Sequence, residues 1–101
     1  MADRVVFRTQ AETDIEAIGD RIARDSQLHA AAWIAETRAR CESLSDFPER
    51  WPLQVRDVRR MIVGEYLVFF RIADPDIPDR RRVVVLRILH GARLIPPSLG
   101  G

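Results

Sequence analysis

Hydrophobic positions change their spacing along this chain, and the change divides it into a helical half and a strand-forming half. Between Thr9 and Arg24, Ala11, Ile15, Ile18 and Ile22 recur at helical intervals and form one apolar stripe. Thr9-x-x-Glu12 ahead of that stripe is a capping-box signature, so a helix is expected to start there. Asp14 and Glu16 near its start and Arg24 at its end suit the helix dipole. After a break at Asp25-Ser26-Gln27, rich in N-cap candidates, a second helix is expected from about Leu28 to Ser45. Its stripe is Ala30, Trp33, Ile34, Thr37, Cys41 and Leu44. Glu36 and Arg40 are spaced for an i,i+4 ion pair worth about 0.3–0.5 kcal/mol. So short a connection predicts an antiparallel helical hairpin.

Strand patterns flank this hairpin. Arg4 to Arg8 is a short β-branched and aromatic run, read as the first strand. Asp46 to Pro52 holds two prolines and reads as a loop anchored on the core by Phe47 and Trp51. One strand is expected within Gln54 to Ile62, followed by a tight turn at Gly64-Glu65. The strongest strands are Tyr66 to Ala73 and Arg82 to Leu89, separated by the Pro-punctuated loop Asp74 to Arg80. Beyond Arg93, Pro96 and Pro97 interrupt any helix. The expected fold is α+β in the order β-α-α-β-β-β, a single domain over 1–101. The helical hairpin covers one face of a mainly antiparallel sheet, which the first strand can extend.

Composition narrows the chemistry. The chain has 101 residues, 47% hydrophobic and 31% charged, enough for one core and too apolar for disorder. No stretch approaches membrane-spanning length and the N-terminus lacks a signal peptide's apolar segment, so a cytoplasmic protein with no membrane partner is expected. The single cysteine, Cys41, can form no internal disulfide and reads as a buried thiol. All 16 basic residues are Arg. A GC-rich genome is enough to explain that bias, but it leaves no lysine for catalysis or phosphate binding. His29 and His90 are the only histidines, far apart and in different elements. No Gly-rich phosphate loop or Ser-His-Asp signature occurs. Neither a metal site nor a cofactor is expected.

What remains is the sheet. Strict alternation puts Leu67, Phe69 and Arg71 on one face of their strand, opposite Tyr66, Val68, Phe70 and Ile72. In the last strand it groups Val83, Val85, Arg87 and Leu89 against Val84, Leu86, Ile88 and His90. Arg71 and Arg87, the only charges inside these apolar runs, are therefore expected on the face the helices leave uncovered. Arg59 and Arg60 add charge nearby, and Arg93 follows the strand's end. These five arginines are the candidate partner- or phosphate-binding residues. The alternative is that they solubilise the sheet or pair with Asp57 and Glu65. His90 is the one candidate acid or base near the terminus, against a purely structural histidine bonded to backbone.

Several motifs, in this order, resemble the ParE/RelE superfamily of bacterial toxins from type II toxin–antitoxin systems. Thr9-x-x-Glu12-x-Asp14-Ile15-x-x-Ile18 is similar to that family's first helix. Arg59-Arg60-Met61-Ile62-Val63-Gly64-Glu65-Tyr66-Leu67-Val68-Phe69-Phe70-Arg71 resembles its Arg-x-x-x-Val-Gly-x-Tyr stretch, and Val85 to Arg93, ending Leu-His-Gly-Ala-Arg, resembles the ParE terminus. The resemblance implies a toxin neutralised by a cognate antitoxin, in hetero-oligomers that bind their own promoter through the antitoxin. The ParE branch implies inhibition of DNA gyrase by binding, without a catalytic residue. The RelE branch implies a ribosome-dependent mRNA endonuclease, for which His90 would act with Arg59, Arg71, Arg87 or Arg93. A non-toxic binding module of the same fold is the third possibility.

Overall fold

In the computed structural model, residues 3–91 are described, so Arg93 lies outside the described residues. The chain begins with β1 (Arg4–Phe7), followed by α1 (Thr9–Ala23) and α2 (Gln27–Glu42). Two 3₁₀ turns, Ser43–Ser45 and Pro48–Arg50, lead to β2 (Leu53–Val55), β3 (Val58–Val63), β4 (Tyr66–Ala73) and β5 (Arg82–His90). The sheet order is β1-β5-β4-β3-β2. β1 runs parallel to β5, and the other neighbours are antiparallel. The α+β class and the helical hairpin are as the pattern predicts.

Where the pattern predicts one strand after the helices, there are two. Arg56 adopts a left-handed φ of 50° and turns the chain between β2 and β3. Neither Gly nor Asn occupies the left-handed position, and Asp57 is the one turn-favouring residue there. The capping box also fails to form. Thr9 is already helical, and Arg8, at the cap position, makes no side-chain cap bond. Glu12 instead receives two hydrogen bonds from Arg38 of α2, at 3.1 and 2.7 Å. A tertiary guanidinium has replaced the local backbone partner, and it ties α1 to α2. At α2 local chemistry prevails: the Ser26 hydroxyl accepts from the His29 amide at 3.1 Å.

The core lies between the hairpin and the sheet. Ala11, Ile15 and Ile18 of α1, with Cys41 and Leu44, pack on Met61, Val63, Tyr66, Val68, Phe70, Val83, Val85 and Ile88. Gly19 allows the helices to approach closely, because a Cβ there would lie 2.8 Å from Ile34 Cδ1. Trp51 packs against this core as expected, but Phe47 does not: it has a φ of 48° and is 68% exposed. Pro48 occupies the buried position that the pattern assigns to Phe47.

On the other face of the sheet, Val58, Phe69, Ala73, Val84, Leu86 and Leu89 form a second apolar cluster. Leu89 reaches this face because β5 is irregular. Phe69 pairs with Arg87 and Phe70 with Val85, leaving Leu86 as an extra residue. A β-bulge of this kind shifts the inside–outside alternation beyond it. Val83, Val85 and Ile88 consequently share the helix side. Ile88 lies there as alternation from Arg87 expects, but Val83 and Val85, assigned to the uncovered face with Arg87, are core residues, and Val84 and Leu86 take the opposite face.

Candidate functional site

The bulge positions a cleft at the C-terminal end of β5. β1 ends with Phe7 opposite Val85, so beyond that pair β5 has no strand neighbour on this side. An unpaired amide there would cost free energy unless something else accepted from it. Asp14 of α1 supplies the acceptor. Its Oδ2 takes the Ile88 amide at 2.9 Å and Arg87 Nε at 2.8 Å, and its Oδ1 takes Arg87 Nη2 at 3.1 Å. This carboxylate holds the Arg87 pKa above the usual arginine range. Arg87 is therefore not on an open sheet face. The bulge directs it to the edge, where Asp14 neutralises it.

Next to this pair, Asp14, Ala17, Ile18, Arg21, Tyr66 and His90 line a cavity of about 100 Å³. Asp14, Ala17, Ile18 and Arg21 lie on one flank of α1 at helical spacing. Arg21 Nη2 donates to the Tyr66 hydroxyl at 3.2 Å. Tyr66 and His90 are paired across β4 and β5, and their rings meet edge to face at 5.4 Å. On its other side Tyr66 meets Trp33 of α2, centroids 5.2 Å apart. Tyr66 is thus the shared wall between the His90 cleft and a second cavity under α2. Cation, phenol and imidazole converge in the cleft, a set that can bind an anion or move a proton.

Among the described residues, the predicted cations Arg59, Arg60, Arg71 and Arg87 do not gather around His90. Arg59 donates to the carbonyls of Glu49 and Trp51, at 3.1 and 2.7 Å, and clamps the segment leading into β2. Arg60 donates to Gln54 Oε1 at 3.0 Å. Arg71 alternates onto the face of Phe69 and Ala73, away from His90, and has no hydrogen bond or ion pair among the described residues. Arg81, which follows the Asp74–Arg80 loop, is a tie: it binds Asp3 at 3.0 Å and also pairs with Glu49. The residue the pattern missed is Arg21, which brings the cation to His90. Its i+7 spacing from Asp14 was the available signal. Cys41 is buried, and burial pushes its thiol pKa up to about 12. Among the described residues no group of His, Cys, Asp and Glu could hold a metal, and no helix is long and apolar enough to cross a membrane.

Two helices on a mixed five-stranded sheet constitute the fold of solved toxin–antitoxin proteins. A chain of the chromosomal ParDE system from P. aeruginosa matches with a TM-score of 0.74 at 17% identity, over 88% of this chain and 96% of that one. A chain of the RelBE2 toxin–antitoxin complex from Mycobacterium tuberculosis matches with a TM-score of 0.60 at 26% identity, over 89% and 99% respectively. In sequence, Toxin RelE2 of Caulobacter vibrioides is 32% identical over 92 residues, covering 90% of this chain and 98% of that protein. Residues 5–95 match the family model described as ParE toxin of the type II toxin–antitoxin system parDE. The chain belongs to this ParE toxin family, within the ParE/RelE superfamily.

Proposed function

We propose that this toxin acts by binding rather than by catalysis, that its target is DNA gyrase, and that a cognate antitoxin neutralises it. The observation that carries the reading is the fate of the arginines. Phosphodiester cleavage needs several cations around the scissile group, with an acid and a base in reach. Here Arg59, Arg60 and Arg87 are engaged by carbonyls, an amide oxygen and Asp14, and Arg71 belongs to the opposite face from His90. With Arg59, Arg60 and Arg87 tied internally and Arg71 on the far face, these four arginines form no cluster around His90, which suits shape-specific protein binding better than phosphodiester cleavage. The antitoxin reading is supported by the family match and by neighbours solved as toxin–antitoxin systems.

One observation favours a second reading. The Arg21–Tyr66–His90 cleft places a cation, a phenol and an imidazole together, and one relative carries the name Toxin RelE2. A RelE-like mRNA endonuclease would use this cleft, with Arg21 replacing the strand arginines as the phosphate ligand. The two readings separate in paired assays of the purified protein, one with gyrase and supercoiled DNA, the other with translating ribosomes. Gyrase inhibition that persists in His90→Ala supports the binding mode. Ribosome-dependent mRNA cleavage abolished by His90→Ala refutes it.

A further inference from the structure

The second cavity bordered by Tyr66 has no role in either reading. It lies between α2 and the β3–β4 turn, holds about 140 Å³, and is lined by Trp33, Glu36, Thr37, Val63, Gly64, Glu65 and Tyr66. Three features give it a definite chemistry. First, neither carboxylate at its rim is neutralised. Arg40, spaced to pair with Glu36, instead donates to the Ile62 carbonyl at 3.2 Å, and Glu36 and Glu65 have no ion-pair partner among the described residues. Second, the Thr37 hydroxyl is fully buried and has no hydrogen-bond partner. Helical threonines commonly bond back to the i−4 carbonyl, and a buried polar atom without a partner costs about 1–3 kcal/mol, so an orphan here points to a missing group. Third, Trp33 and Tyr66 provide aromatic surface in the same wall.

We infer that this cavity receives an arginine side chain from the neutralising antitoxin. The two carboxylates demand a cation. The aromatic walls favour one that is planar and weakly hydrated, and the Thr37 hydroxyl accepts one more N–H. A guanidinium meets all three demands with its fork of five donors, whereas a lysine ammonium is a compact, strongly hydrated charge. The apolar lining suits the arginine stem. The inference depends on the antitoxin reading for the source of the arginine, but not for the chemistry of the cavity.

The two dependences are tested separately. The full chain, labelled with ¹⁵N, is titrated with N-acetyl-arginine amide while the indole N–H signals of its two tryptophans, Trp33 and Trp51, are followed. Saturable movement of Trp33 alone is expected, with N-acetyl-citrulline amide, the uncharged analogue, leaving it in place. Glu36→Gln with Glu65→Gln should weaken arginine binding at least about tenfold, on the scale of a lost charged hydrogen bond, and leave thermal unfolding unchanged. Equal responses to arginine and citrulline, or undiminished binding by the double variant, would overturn the assignment. In cells, the double variant should stay toxic and be rescued less well by the antitoxin. Full rescue, with arginine still bound by the wild-type chain, would exclude the antitoxin as the source. Failure of the antitoxin to rescue even the wild type would refute the antitoxin reading and leave the cavity chemistry standing.

Discussion

Asp14→Ala removes the one group that closes the open edge of β5, and its cost can be worked from the contacts. The carboxylate accepts three hydrogen bonds, two from Arg87 and one from the Ile88 amide. Ile88 is 1% exposed, so its N–H would lose its acceptor in a largely buried place. That loss lies in the range of about 1–3 kcal/mol. The Arg87–Asp14 pair adds less, because Arg87 can turn toward solvent once released. With side chains 21% and 14% exposed, the pair lies between a surface ion pair and a buried one. Together these give about 2–3 kcal/mol for Asp14→Ala. Asp14→Asn keeps an acceptor for Ile88 and loses the charge and one Arg87 hydrogen bond, for about 1 kcal/mol. In a protein of this size the alanine variant should melt on the order of 10 °C lower. Urea unfolding gives the free energies, and native-state hydrogen exchange localises them: the Ile88 amide should lose protection in Asp14→Ala and retain most of it in Asp14→Asn. Equal costs for the two variants, or an alanine cost below about 0.5 kcal/mol, would refute the edge-capping role.

Other outcomes follow from the same contacts. The Arg38 hydrogen bonds hold Glu12 below the usual glutamate pKa, and Arg81 does the same for Glu49. Their contribution is thus present above the unfolded-state pKa near 4.5 and is lost as pH falls through the lower folded values. Glu12→Gln should cost well under 1 kcal/mol at pH 7, since the pair is 42% and 45% exposed, and in urea titrations its effect should shrink as pH falls below the unfolded-state value near 4.5. Cys41, with its thiol pKa pushed up to about 12, should resist thiol reagents at pH 8 in the folded chain and react once urea unfolds it. Thr37→Val replaces an unpartnered buried hydroxyl with a methyl of the same shape; it should be neutral or stabilise by up to about 1 kcal/mol in thermal unfolding, while weakening arginine capture.

The elements that follow periodicity are those whose burial is mainly apolar. The α1 stripe, the α2 stripe and β4 follow their spacing because each buries one face against the same core. Errors arose where a polar group found a distant partner. Glu12 is spaced for a local cap, but Arg38, 26 residues away, offers a bidentate charged partner that a backbone amide cannot match. Glu36 and Arg40 are spaced for an ion pair, but the carbonyl of Ile62 takes the guanidinium. The β2–β3 turn is obscure for a different reason: the left-handed position is held by Arg56, a residue type that does not favour it, and only Asp57 beside it marks a turn.

The site was legible in kind but not in place, and the bulge at Leu86 explains the difference. Strict alternation assigns Arg87 to the uncovered face, where it would join Arg71 in a basic surface. One extra residue in β5 moves it instead to the strand edge, within reach of Asp14. The same shift puts Val83 and Val85 on the helix side together with Ile88, and His90 lies against Tyr66 and close to Arg21. A count of basic residues therefore predicts a shared basic surface, and the β5 register takes Arg87 out of it by tying it to Asp14. Asp14 both neutralises Arg87 and fastens the strand that carries His90. An Asp14→Ala variant that stays folded should therefore disturb the cleft without touching its cation, phenol or imidazole. If gyrase binding resides in overall shape, it should survive this change. If activity resides in the cleft, it should fall together with the protection of the Ile88 amide.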